Sequence, residues 1–205
     1  MIDFSPPLLV QTDVFPKGKQ TIYVPRILDD GKHVHAKRRM NRQMIEATNE
    51  LIARQVENAT EDSFAEMIGT FELKTNERNV LSVTFSNYAI EPFAAHGMTY
   101  MNARTFQTET GKMYVLSDLF KHNSDYVTIL SEEIKRQIEV RDIPVIEPFS
   151  NMDENASFYI ADMCLVIFLQ LYELAPYYYG FPMFPISLYS LSNVIDENSP
   201  LAAMM

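Results

Sequence analysis

The sequence is short of several things, and each shortage removes a class of function. It holds a single cysteine, Cys164, which excludes an intramolecular disulfide and a thiolate metal cluster. Its six glycines form neither a phosphate loop nor a G-x-G-x-x-G turn, so nothing is set up to cradle a nucleotide phosphate. No serine stands in a G-x-S-x-G elbow. Positive charge is scarce: 17 Lys and Arg against 27 Asp and Glu leave a net charge of −10. That balance argues against a general grip on nucleic acid, which needs a positive surface, and it favours a basic partner protein where there is a partner. Long apolar runs are also missing. The longest, Met163 to Leu169, is far shorter than the roughly 20 residues that cross a bilayer. Met1 to Val10 carries Asp3 and Pro6-Pro7 with no basic start, unlike a signal peptide. The expectation is a soluble chain without membrane insertion, cytoplasmic if complete and extracytoplasmic if it is a fragment of an anchored protein.

What is present is enough to fold. Hydrophobic residues make up 47% and charged residues 21%, a globular composition. After a proline-rich opening, Lys19 to Ile27 reads as a strand and Asp29-Asp30-Gly31 as a turn. Met40, Met44, Ala47, Leu51 and Gln55 then recur at helical spacing, with Ile45, Ile52 and Val56 widening the stripe, which predicts a helix over Ala36 to Val56. After Asn58 the period becomes two. Gly69, Phe71 and Leu73 alternate with polar residues, as do Leu81, Val83 and Phe85, and the short polar link Thr75 to Asn79 makes the pair a hairpin. Strands at Met98 to Gln107 and Lys112 to Leu116 extend it to a four-strand meander. A second amphipathic helix is expected over Ser124 to Val140, with Tyr126, Val127, Leu130, Ile134 and Ile138 inward and Ser124 as N-cap. Strands at Ser157 to Ile160 and Met163 to Tyr172 follow, the second apolar on both faces and therefore central. A loop, Ala175 to Pro185, leads to a last strand at Ile186 to Leu191. The fold class is α+β: an antiparallel or mixed sheet packed against two main amphipathic helices. The expected organisation is a strand–helix part over 1–65, compact with a second part over 66–192, and a loose tail over 193–205.

Candidate chemistry is thin. His33 and His35 would project from one side of a strand, a spacing metals use, but no third ligand accompanies them and even catalytic zinc takes three. His96 and His122 read as polar loop residues. Cys164 lies within M-C-L-V-I-F, where burial favours core packing over reactivity. Glu72, Asp118 and Glu173 stand at strand or loop ends, where catalytic acids can live, so a small hydrolase of a wall polymer using Asp118 or Glu173 is one reading. A self-associating structural protein is another. No metal ligand set, cofactor site or catalytic group is predicted. Lys32, Lys37, Arg38, Arg39 and Arg42 crowd the start of the first helix, against its dipole. They lack the interleaved aromatics of a nucleic-acid surface and read as a solvated end or an acidic-partner contact.

One stretch is more informative. Tyr172-Glu173-Leu174-Ala175-Pro176-Tyr177-Tyr178-Tyr179-Gly180-Phe181-Pro182-Met183-Phe184-Pro185 concentrates aromatic rings and prolines. Prolines reduce the entropy a loop loses on ordering, and tyrosine offers large contact area with a polar tip. The combination suits a recognition surface and equally a loop tucked over the sheet as a small core of its own.

These residues carry a family likeness. Y-E-L-A-P-Y-Y-Y-G before a short strand resembles the C-terminal signature of the ligand-sensing domain of RsiV-type anti-sigma factors. Phe158-Tyr159-Ile160, the Thr110-Gly111-Lys112 turn and Leu116-Ser117-Asp118-Leu119-Phe120 resemble the blocks upstream, so the likeness spans roughly Ile68 to Leu191. It implies a non-catalytic α+β binding or sensor domain, also found as the accessory domain beside PdaC-like peptidoglycan deacetylases. The implied partner is a lysozyme-like basic protein or a wall glycan. The implied ligand-facing residues are Tyr172, Glu173, Pro176, Tyr177, Tyr178 and Tyr179, with Ala175 and Gly180 in the matched turn. Tyr178 and Tyr179 stand where small residues are usual in that family.

Overall fold

The computed structural model describes residues 7–57 and 63–205. Asp3 and Pro6 of the opening stretch, and Asn58 where the period changes, lie outside the described residues. The chain divides into two compact units, 1–113 and 114–205.

The first unit is built on a mixed sheet in chain order: β1 (Val10–Lys17), β2 (Gln20–Ile27), β3 (Glu66–Glu77), β4 (Val80–Ile90) and β5 (Met98–Gln107), with the short β6 (Met113–Tyr114) next to β5 at the division. β3, β4 and β5 are antiparallel neighbours, as the alternation and the short links dictate. Parallel strands need a long crossover, and α1 (Val34–Val56) supplies it between β2 and β3. The α1 stripe falls where its spacing puts it. Met40, Met44, Ala47 and Leu51 are buried in one cluster with Leu81, Val83 and Phe85 of β4 and Phe106 of β5. Gln55 ends the stripe differently, donating to the carbonyls of Asn87 and Met98, both at 2.8 Å. Gly111 (φ 67°) makes the close approach of the β5–β6 turn: a Cβ there would lie 2.7 Å from the Ala36 carbonyl oxygen.

Several expectations change in this unit. A strand precedes the expected one, because Gly18 turns the chain and lets β1 pair with β2 over its whole length. Ile45 points to solvent. His33 and His35 do not share a strand: His33 is a left-handed residue (φ 48°) ahead of α1, and His35 is in the first helical turn. Lys37 is not a solvated charge but is buried and ion-paired with Asp30.

The second unit holds α2 (Tyr126–Val140) and a three-stranded antiparallel sheet, β7 (Phe158–Ala161), β8 (Cys164–Phe168) and β9 (Met183–Ser187), with β8 central as its two-faced apolarity requires. Phe158 and Ile160 face Ile167 and Leu165, which face Phe184 and Ile186, so these six buried residues line one side of the sheet. Short helices α3 (Leu188–Leu191) and α4 (Pro200–Met204) close the chain.

Several expectations differ here. β8 ends at Phe168 rather than Tyr172. β9 begins inside the segment read as loop, and Leu188 to Leu191 coil instead of extending. Asp125 takes the N-cap position of α2, without a side-chain hydrogen bond, while the Ser124 hydroxyl is buried without a partner. Residues from Asn193 are packed rather than loose: Ile195 bridges Phe120, and Leu201 and Met204 are buried. Cys164 is only half-buried, at the β8 start opposite Ser187, on the face away from the apolar row.

Candidate functional site

The tyrosine-rich segment is a succession of tight turns following β8. Its anchors are apolar: Leu171 and Leu174 are buried, Ala175 is 0% exposed, and the Leu174 carbonyl accepts the Ile146 N–H at 2.8 Å. The first turn is closed reciprocally. Glu173 donates its N–H to the Gln170 carbonyl at 3.2 Å, and its carboxylate accepts the Gln170 N–H at 2.6 Å. Within this turn Tyr172 has φ 65°, a left-handed conformation that disfavours a bulky side chain. Pro176 is extended and starts a 3-10 turn over Tyr177–Tyr179. The Tyr179 N–H reaches the Pro176 carbonyl at 3.0 Å and the Gly180 N–H reaches that of Tyr177 at 3.1 Å. Gly180 (φ 82°, ψ −156°) ends the turn in a region open essentially to glycine alone. That is the physical reason for glycine at this point.

The rings divide in two. Phe184 is fully buried, and Tyr177, Tyr179 and Phe181 are half-buried. Tyr178 is 79% exposed and Tyr172 48%. The Tyr172 ring lies against Tyr177, centroids 5.6 Å apart and planes at 32°. The loop is therefore split between its rings: some pack inward, as a small core of its own requires, and two stand in solvent. Of the expected residues, the turns bring Tyr172, Pro176, Tyr177, Tyr178 and Tyr179 into one surface segment, while Glu173 is engaged in closing its own turn.

Two residues overlooked in the sequence brace the segment. Arg141, the C-cap of α2, donates to the Tyr179 hydroxyl at 2.9 Å and to the Met183 carbonyl at 2.7 Å, and its guanidinium carbon lies 5.7 Å from the Phe184 ring centroid. Gln137, one turn earlier, donates to the Pro185 carbonyl at 2.8 Å. Gln137 was legible as a helical residue four before Arg141. None of the three partners was legible, since they lie 38 to 48 residues away. A shallow groove lined by Gln137, Arg141, Tyr159, Val166, Met183 and Pro185 runs beside the brace. One helical turn before Gln137, the paired Arg136 guanidinium holds the Glu133 carboxyl below the usual carboxylate range.

The carboxylates considered for catalysis are used locally. Asp118 accepts the Val115 N–H at 3.2 Å, Glu173 closes the turn described above, and Glu72 pairs with Lys74. Among the described residues, no three His, Cys, Asp or Glu side chains are grouped so as to hold a metal ion. No helix among them is long and apolar enough to cross a membrane.

Comparison with known proteins places this segment in a wider group. No curated protein matches the chain. A crystal structure of a DUF3298 family protein from Pseudomonas aeruginosa PAO1 shares the fold at a TM-score of 0.69 and 12% identity, covering 94% of this chain and 96% of that one. A member of the same family from Bacteroides fragilis NCTC 9343 does so at a TM-score of 0.65 and 13% identity, with 98% and 97% covered. At such identities the likeness is one of fold. Residues 117–189, the stretch that contains α2, the three-stranded sheet and the whole tyrosine turn, match the family model described as a protein of unknown function, DUF3298.

Proposed function

We propose that this chain is a non-catalytic binding or sensor module of the RsiV type, which recognises a cell-wall-related ligand through the tyrosine turn. The first ligand is a basic, lysozyme-like protein, and a wall glycan is the second. The observation that carries the reading is Tyr178, a large amphipathic ring 79% exposed on a turn whose neighbours are anchored. Exposed rings on an ordered turn give contact area at low entropic cost, the character of an interface anchor. The strained Tyr172 beside it adds support, since backbone strain persists where structure around it enforces it and clusters at ligand-binding sites. The net charge of −10 suits a basic partner by long-range attraction. The local bonding of Asp118 and Glu173 gives both carboxylates a structural use, which supports a role without turnover.

The test is calorimetric titration with hen-type lysozyme. Binding by the native chain, weakened at least about tenfold by Tyr178→Ala with stability unchanged within about 0.5 kcal/mol, is the expected result. No heat at high protein concentration would sink the lysozyme assignment, and titration with soluble peptidoglycan fragments would then decide for or against the glycan.

A further inference from the structure

We infer that Arg141 is the positioning residue of the tyrosine turn: it holds Tyr179 so that Tyr178 is presented outward in one orientation. The inference rests on the binding role proposed above and adds what sets the geometry of that surface. Three residues of 3-10 turn between a proline and a glycine form a weak element, because 3-10 hydrogen bonds are poorly aligned and short runs are not cooperative. Successive side chains in such a turn stand about 120° apart. Holding the turn at Tyr179 therefore fixes the direction in which the Tyr178 Cα–Cβ bond leaves it. Arg141 is suited to the task because it is itself over-determined. Its backbone N–H caps α2 on the Gln137 carbonyl at 3.0 Å, and its guanidinium also reaches the Gln137 Oε1 at 3.3 Å and the Met183 carbonyl at 2.7 Å. The planar fork leaves a second nitrogen, Nη2, for the Tyr179 hydroxyl at 2.9 Å. One side chain thus ties the end of a 15-residue helix, the edge strand β9 and the turn. A lysine ammonium lacks the fork and cannot serve both acceptors in this geometry. Presenting the ring already ordered removes an ordering cost from binding, so the brace acts on affinity through Tyr178 and not by touching the ligand.

Tyr179→Phe separates this role from a merely structural one. It removes the phenol oxygen that Arg141 meets and leaves the Arg141 bond to the Met183 carbonyl in place. Backbone nitrogen relaxation on the full chain reads the turn directly. In the native chain the amides of residues 177–180 are expected near the rigid order parameter of about 0.85, and in Tyr179→Phe below about 0.6, with the β9 amides and the thermal midpoint unchanged. Arg141→Lys is expected to loosen the same amides. In calorimetry with hen-type lysozyme, Tyr179→Phe should lose about tenfold in affinity although its ring remains. Unchanged order parameters at 177–180 in Tyr179→Phe would overturn the inference and leave Arg141 as a brace of β9 alone. If the native chain takes up no lysozyme, the binding proposal fails, and the relaxation comparison still decides whether Arg141 positions the turn.

Discussion

At the scale of single residues, the site is shaped by backbone constraints as much as by side-chain chemistry. Gly180 occupies a region of φ and ψ that a Cβ makes unfavourable, although nothing lies within 4 Å of where that Cβ would be. Gly180→Ala should therefore destabilise the second unit by strain and not by collision, by about 1–3 kcal/mol, measured as a shift of the urea midpoint at constant slope. Tyr172 is the converse case, a ring kept in a left-handed position between buried Leu171 and Leu174. In the first unit, Asp30 accounts for one of the basic residues at the start of α1, the buried Lys37. The Lys37 ammonium, hydrogen-bonded to the Asp30 carboxylate, lowers that carboxylate's pKa, with help from the Lys32 N–H. A carboxyl depressed on folding adds stability above its unfolded pKa near 3.9, and that contribution is lost as pH falls through the folded value. Asp30→Asn should thus lower stability at neutral pH and shrink the loss on acidification, which chemical denaturation at pH 7 and pH 3 will show. An unchanged pH slope would remove Asp30 from the account.

At the scale of elements, periodicity and edges govern. The α1 stripe and the β3–β4–β5 meander were legible because each residue's partner is set by a local repeat, 3.6 or 2, and short links leave antiparallel pairing as the simple solution. β1 was not legible, since Val10 to Lys17 is largely solvent-exposed and shows no buried alternation. β9 was misplaced because Pro182 and Pro185 suggested loop. Proline is accepted on an edge strand, where no partner requires its N–H, and β9 is such an edge. Its outward carbonyls at Met183 and Pro185 are met by Arg141 and Gln137 instead of by another strand. Gln137→Leu keeps the apolar bulk of the helix face and leaves the Pro185 carbonyl without its donor. It should cost about 1–3 kcal/mol in stability by chemical denaturation, and a neutral result would show that solvent replaces the amide freely.

At the scale of the whole molecule, charge is the property that acts at a distance. With a net charge of −10, attraction to a basic ligand should raise the association rate at low salt and weaken as screening shortens. Titrating lysozyme at low and at physiological ionic strength should show affinity falling with salt in the native chain. Tyr178→Ala should shift both values without changing that salt dependence, because the ring contributes contact and not charge. Affinity indifferent to salt would remove charge attraction from the account of lysozyme binding.

Composition and local repeat by themselves determined the α+β class, the two main helices, the meander and the position of β8 in the middle of its sheet. Each follows from which residues must leave water and at what spacing. The sequence also marked the tyrosine segment, through prolines and rings that no helix or strand pattern absorbs. Tertiary structure alone decided which of those rings are buried, that the tail after Asn193 packs, and that Arg141 reaches Tyr179. Those outcomes depend on contacts between residues tens of positions apart. Such contacts leave no periodic trace in the chain, because loop closure, rather than local spacing, brings their partners together.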